Sequence, residues 1–359
     1  MKTGLVVLNY NDSETVIEFL DKIKEYNTID SIVVVDNCST DDSYERIRRA
    51  IENAETGTGE SVNLSEEKCD KEGAGSPEEK CEEEGAGSLE EKCEEEGAGS
   101  PEEKCEEEGN GSPEEKPHET GRKRKERIGL IRADANKGYA AGNNLGVKYL
   151  MKNCHPDCIV ISNPDVFFSE ETLKTMLRHL EKLPDAGLIS CRMNCLSSIS
   201  MPTAWKLPGF RDCLLQDSFI IKKIFGDSTE YPAEYFSEDI NKVDVVQGSF
   251  FAFRPEAFRV AHGFDEHTFL YYEENILARR LKNAGKQNYL VNTCSYDHYH
   301  SVSINKSVTS VKKRLEIAYE SRLWYCRRYL HINRLQEKLL GLFHKIGVQN
   351  YIIYKKIFR

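Results

Sequence analysis

An α/β fold built on a mostly parallel sheet, with helices on both faces, is predicted by three observations. Short apolar runs alternate with amphipathic segments in the order β-α-β-α-β-α-β, the alternation of a parallel sheet. Each run stops at a polar turn, where the strands of such sheets present ligand-binding residues. A low-complexity segment interrupts the alternation, and the pattern resumes in order once it is set aside.

Leu5 to Asn9 reads as the first strand. Glu14 to Tyr26 follows as a helix that turns Val16, Ile17, Leu20 and Ile23 inward. Ser31 to Val35 is a second strand ending at Asp36, and Asp41 to Ala54 a helix with acids in its first turn, where they oppose the helix dipole. Ile128 to Arg132 is a third strand, Ala140 to Met151 a helix, and Asp157 to Ser162 a fourth strand. Ser169 to Leu183 continues as a helix, Val243 to Phe253 as one longer strand, and Glu273 to Ala284 as a helix. A strand over Asn288 to Val291 precedes His298, and residues 307–330 and 334–346 have helical patterning.

The net charge of −11 conceals two populations. Residues 55–121 hold 24 Asp or Glu against 6 Lys, a local −18 that leaves +7 for the remainder. A mildly basic body suits an anionic ligand or surface. Within 66–116 a twelve-residue unit repeats, with Cys69, Cys81, Cys93 and Cys105 in register. Each unit has almost nothing apolar to bury, so disorder is expected rather than a solenoid. A four-thiol metal or redox array is the alternative, and the basic run Arg122 to Lys125 closes the insert. The run Leu5 to Leu8 is far shorter than the apolar core of a secretory signal, and no stretch is long enough to span a bilayer. Scattered cysteines then read as reduced thiols of a cytoplasmic protein. The Cys154/Cys158 and Cys191/Cys195 offsets are wider than zinc sites prefer.

Chemistry is expected at the strand ends. The first offers Asn9, Tyr10 and Asn11, and the second Asp36, Asn37 and Ser39, although Ser39 or Asp41 would also serve as an ordinary helix cap. The third leads to Asn136, Lys137 and Gly138, then Gly142, Asn143 and Asn144, small enough for close backbone approach but lacking P-loop spacing. Asn163-Pro164-Asp165 ends the fourth, where a lone carboxylate can hold a divalent cation and the cation a diphosphate. Gly248 and Ser249 lie in the later strand, followed by Gly263-Phe264-Asp265-Glu266. Glu273 and Glu274 open a helix after aromatic residues, which suits a general base as well as a helix cap. His298 belongs to a late His-Tyr-His cluster, a modest metal candidate.

Taken in order, these segments resemble the inverting family 2 glycosyltransferases, and within them the rhamnosyltransferase-like branch. The residues that carry it are Val33 to Asp41, Asn136 to Gly138 with Gly142 to Asn144, Asn163 to Asp165, Gly248-Ser249, Gly263 to Glu266, and His298 with Ser303. The resemblance covers about residues 3–305 apart from the insert. It implies a GT-A-like, Rossmann-like catalytic domain over 1–54 and 122–305, with 306–359 as a C-terminal helical segment. It also implies donor contacts from Asn9, Tyr10, Asn11, Asp36, Asn37, Ser39, Asn136, Lys137, Gly138, Asn143, Asn163 and Asp165. Gly248, Ser249 and Asp265 would face the acceptor, and Asp165 with His298 would hold Mg2+ or Mn2+. The branch has Glu-Asp where this chain has Glu273-Glu274, so Glu274 fills the base position with a side chain one methylene longer.

The implied partners are a nucleotide-sugar, UDP- or dTDP-linked, and a glycan or lipid-linked glycan acceptor, with no nucleic acid. Acceptor selection is expected from residues 190–245, where Trp205, Phe210, Phe219, Tyr231, Tyr235 and Phe236 could stack on sugars. Leu335 to Arg359, basic and apolar, is expected to touch the inner face of a membrane, the alternative being an ordinary packed helix. The rival readings are a nucleotidyltransferase, for which the first strand offers no basic phosphate loop, and a sugar-binding scaffold with the repeat as its working part.

Overall fold

The computed structural model describes residues 1–56, 128–195, 202–217, 226–298 and 310–357. The twelve-residue repeat, Arg122 to Lys125, Phe219 and Tyr299 to Ser303 lie outside the described residues. Strands β1 (Thr3–Asn9), β2 (Ser31–Asp36), β3 (Ile128–Arg132) and β4 (Cys158–Ser162) are mutually parallel in the order β3-β2-β1-β4. Between them run α1 (Ser13–Ile23), α2 (Ser43–Thr56) and α3 (Tyr139–Asn153). The chain leaves α2 for the insert and returns at β3 in register with β2, Val34 opposite Leu130.

Side-chain alternation along each strand divides the core in two. Leu5, Val7 and Val34 face a layer with Val16, Phe19 and Ile23 of α1, while Val6, Val33 and Val35 face Val147 and Leu150 of α3. Inward residues of α1 include Val16, Leu20 and Ile23 as expected, whereas Ile17 is only partly covered and Phe19 takes the deeper place.

Beyond β4 the sheet becomes mixed. It gains β5 (Val166–Phe167), β6 (Ala186–Cys195), β8 (Ile240–Val243), β10 (Phe250–Phe253) and β11 (Gln287–His298). β10 runs antiparallel between β4 and β6, and β6 pairs parallel with β11. A separate two-stranded sheet pairs β7 (Ala204–Trp205) with β9 (Val245–Val246). The single strand expected over Val243 to Phe253 is therefore three pieces, β8, β9 and β10. The break at Gln247-Gly248-Ser249 has a local cause: the Gly248 carbonyl accepts the Tyr139 hydroxyl at 2.6 Å, and its N–H faces the Glu274 carboxylate. Neither group is left for a ladder. His298, expected after a strand, is the last residue of β11.

The remaining helices are α4 (Glu170–Lys182), α5 (Phe210–Leu215), α6 (Pro255–Val260), α7 (Glu273–Asn283), α8 (Val311–Tyr329) and α9 (Arg334–Ile357), with a 3-10 turn over Ala233–Ser237. A third apolar cluster joins Cys213 of α5, Tyr272 and Ile276 near the start of α7, Tyr325 and Cys326 of α8, and Leu340 of α9. Among the described residues no helix is long and apolar enough to cross a membrane.

Candidate active site

A cavity of about 770 Å3 opens beyond the carboxyl ends of β1 and β4, and residues of α7 and α8 also line it. Of the residues expected at the site, Asn9, Tyr10, Asn37, Asn136, Gly138, Asn163, Asp165, Gly248, Ser249, Glu273, Glu274 and His298 line it. Asn11, Asp36, Ser39, Lys137, Asn143 and Asp265 do not.

The β1 and β2 ends are tied by hydrogen bonds. Asp36 is wholly buried. Its Oδ1 accepts from Asn9 Nδ2 at 2.8 Å, its Oδ2 from the Ser39 N–H at 3.0 Å, and Arg132 Nε lies 3.5 Å from Oδ2. Expected to touch the donor, Asp36 lies outside the cavity lining and, through Oδ1, positions Asn9, which reaches the cavity. Ser39 is likewise structural, its hydroxyl accepting from Asn9 and from the Asn11 N–H. Asn11 pairs with Thr40, its Oδ1 accepting the Thr40 N–H at 2.8 Å.

Asn37 Nδ2 donates to Asn136 Oδ1 at 3.0 Å and to the Gly138 carbonyl at 3.1 Å, while Asn37 Oδ1 is buried without a partner. Gly138 has φ +93°, and a Cβ there would sit 1.9 Å from the Phe269 carbonyl oxygen, so only glycine fits. Lys137 is exposed, and Asn143 spends its Nδ2 on the Tyr139 carbonyl one turn back along α3.

At the end of β4, Asp165 is 5% exposed. Its Oδ1 makes no hydrogen bond, and His298 Nε2 stands 3.3 Å away. A buried carboxylate oxygen without a donor beside an imidazole nitrogen fits a divalent cation with two protein ligands, the rest of its shell coming from ligand oxygens. Among the described residues no group of three His, Cys, Asp or Glu gathers to make a closed metal site.

Across the cavity α7 begins with the two glutamates. Tyr271 and Tyr272 precede it with φ of 72° and 70°, a left-handed pair that aims the helix start at the cavity. Glu273 is buried, with Oε2 unpartnered, while Glu274 is half-buried. Burial, and then the neighbouring Glu274 charge, push the Glu273 carboxyl well above the usual carboxylate range. Burial also raises Glu274, opposed by the Gly248 N–H that its carboxylate accepts. The deeper Glu273 holds its proton to higher pH, so Glu274, open to the cavity, carries the charge of the pair. Tyr139, held by the Gly248 carbonyl, is raised by burial and by both glutamates, and stays a neutral donor.

Gly248 is shaped by this pair. A Cβ there would meet Glu274 Oε1 at 2.5 Å and Cγ at 3.0 Å. Because the obstruction is the end of a flexible side chain, Gly248→Ala should fold with a melting temperature near wild type. Turnover should fall roughly 10- to 100-fold, since a displacement of about 1 Å at a reacting group has that effect. Thermal melts and steady-state kinetics on the same preparation check both halves.

Ser249, expected on the acceptor side, lines the cavity, but its hydroxyl meets Tyr296 at 2.9 Å within the core and its carbonyl accepts the Asn163 N–H. Asp265, also expected there, lies outside the cavity. Its Oδ2 accepts from Trp324 Nε1 at 3.0 Å and Tyr329 at 2.5 Å, with Arg280 at 3.2 Å; its Oδ1 takes the His267 N–H and ring nitrogen. Burial alone would raise this carboxyl, but the hydrogen bonds from Trp324, Tyr329 and His267 bring it down to about 2. Of the aromatics assigned to acceptor selection, Trp205 lines the cavity, its Nε1 donating to Asn275 Oδ1 at 2.8 Å. Tyr231, Tyr235 and Phe236 instead pack on one another, the two tyrosine rings stacked 4.5 Å apart. Tyr139 and Tyr271, within the segments singled out above, also line the cavity, whereas Asn275 and Arg314 do so unannounced by any motif, and Arg314 belongs to α8, far along the chain.

No family model matches the chain. It is 27% identical over 212 residues to the rhamnosyltransferase WbbL of Escherichia coli K12, a match spanning 58% of this chain and 77% of that protein. It is 22% identical over 212 residues to the low-salt glycan biosynthesis hexosyltransferase Agl10 of Haloferax volcanii, spanning 59% of this chain and 62% of that protein. In fold it is similar to the mannosyltransferase PcManGT of Pyrobaculum calidifontis, solved with GDP-Man and Mn2+. That likeness has a TM-score of 0.50 at 13% identity and covers 97% of this chain and 72% of the other. With the parallel strand ends, the cavity and these likenesses together, the chain resembles the GT-A glycosyltransferases and is an enzyme of the glycosyltransferase class.

Proposed function

We propose that the protein is an inverting, metal-dependent family 2 glycosyltransferase of surface polysaccharide synthesis. It moves a sugar from a UDP- or dTDP-sugar, dTDP-rhamnose foremost, to a glycan or lipid-linked glycan. One observation carries this reading: the Asp165–His298 pair and the Glu274 carboxylate line the same cavity. The likeness to a rhamnosyltransferase supports the deoxyhexose donor.

In this mechanism Asn9, Asn37 and Asn136 orient the donor, whose anomeric carbon lies between the Asp165–His298 pair and Glu274. Asp165 and His298 would hold a divalent cation, which supplies Lewis-acid stabilisation of negative charge on the leaving diphosphate. Glu274 takes the proton of the acceptor hydroxyl. The acceptor oxygen bonds to the anomeric carbon on the face opposite the diphosphate. The bond from that carbon to the phosphate oxygen breaks, its electron pair stays on the oxygen, and the nucleoside diphosphate departs. A single displacement inverts the configuration through an oxocarbenium-like state.

Since the base must be ionised, activity rises with pH through its pKa. Burial lifts Glu274, so the acidic limb of kcat/KM should lie above the ~4.3 of an ordinary glutamate. A pH–rate profile with its limb at or below that value would remove Glu274 from the role. The first test of the reading as a whole is binding and hydrolysis of UDP-, dTDP- and GDP-sugars with Mn2+, Mg2+ or EDTA. Cation-dependent binding of one donor supports it. A folded protein that binds none favours the sugar-binding scaffold.

A further inference from the structure

The geometry points to the outer face of α9 as a docking surface for an anionic lipid bilayer, on which the helix lies flat. Leu335, Leu339, Leu342 and Ile346 recur at intervals of four, three and four residues and are 67%, 36%, 52% and 49% exposed. That spacing places them in one stripe along the helix. The other exposed residues between 334 and 350 are Arg334, Lys338, Lys345, Gln349 and Asn350, so this face holds three cations and no carboxylate. By helical spacing Arg334, Lys338 and Lys345 follow one edge of the apolar stripe. Glu337, the acid of this stretch, is turned aside and paired with Arg327.

Apolar side chains bordered by cations match the acyl and headgroup layers of an anionic membrane, into which such a helix sinks without crossing. Charge also decides the occupant. A second copy of the chain would bring like cations together with no acid on the face to meet them. Outside the acidic insert the chain carries +7, so the approach of this face to an anionic surface is not opposed by the body of the protein.

The inner face of the same helix braces the cavity. Leu340 is buried, and His344 stacks on Tyr319 with ring centres 4.2 Å apart. His344 Nδ1 lies 2.8 Å from Asp217, which Arg322 also holds. Asp217 and Gln216 line the cavity. A bilayer under α9 would therefore lie one helix away from the cavity wall. The use of that proximity, delivery of a lipid-linked acceptor, rests on the function proposed above, whereas the surface itself does not.

Flotation of the full chain with phosphatidylcholine vesicles, with and without about one third phosphatidylglycerol, tests it. Wild type should float with the anionic vesicles, less so at high salt. Leu339→Glu/Leu342→Glu and Lys338→Glu/Lys345→Glu should each weaken binding about tenfold or more, with circular dichroism and donor binding unchanged. The surface assignment is overturned if wild type ignores anionic vesicles, or if the leucine variant floats as well as wild type. It is equally overturned if light scattering shows a dimer that the leucine variant dissolves. Absence of donor binding by wild type would count against the transferase reading alone.

Discussion

Glu274→Gln should lower turnover about 10²- to 10⁴-fold while donor affinity stays within about twofold, the span that a positioned general base contributes. Glutamine keeps the length and the hydrogen bond to the Gly248 N–H, so the cavity keeps its shape; what is lost is the capacity to take a proton. The companion Glu273→Gln separates the two acids. Glu273 is buried and holds its proton more firmly, so its amide should cost far less than that of Glu274. Glu273 is neutral while Glu274 titrates, so Glu273→Gln removes no charge from beside the base, and the acidic limb of the pH profile should stay near its wild-type position. Equal losses in the two variants, or full turnover in Glu274→Gln, would sink the assignment.

Asp165→Ala should abolish cation-dependent donor binding and cut transfer by about 10³-fold or more, since Lewis-acid stabilisation of a leaving group amounts to several kcal/mol. The residue is nearly enclosed, and its Oδ1 makes no hydrogen bond, so removing that oxygen breaks its 3.3 Å contact with His298 Nε2 but no hydrogen bond. Asp165→Ala should therefore melt near wild type even as it loses Mn2+ response. Calorimetric titration with Mn2+ in the presence of the donor reads this directly. If EDTA leaves wild-type turnover unchanged, the cation has no part in the reaction, whatever the variant does.

Much of this site could be read from the sequence because the four parallel strands are continuous apolar runs ending in polar residues. Asn9, Asn37 and Asp165 followed from that rule alone. The rule does not say which polar group faces outward. Asp36 was expected at the donor, but the Asn9 amide and Ser39 N–H enclose it, and that exchange is decided between two strands. Asp265 misled in the same way, since its donors Trp324 and Tyr329 come from a helix far along the chain. β6 has no clear signature in the sequence: Gly187, Arg192 and Asn194 break its apolar pattern, and its place is fixed by β10 and β11 on either side. Gly248 read as part of a strand because nothing nearby in sequence reports a carboxylate within reach of its Cα.

The left-handed pair Tyr271–Tyr272 leaves the chain little room to drift. At roughly 1–3 kcal/mol each, two such conformations persist only while something holds them. For Tyr272 the hold is its ring among Cys213, Ile276 and Tyr325. A glycine would relax the backbone but remove the anchor; an alanine would remove the anchor and keep the strain. An aromatic of similar bulk is the exchange that preserves both, so this joint before the base is closed to most single steps of sequence change.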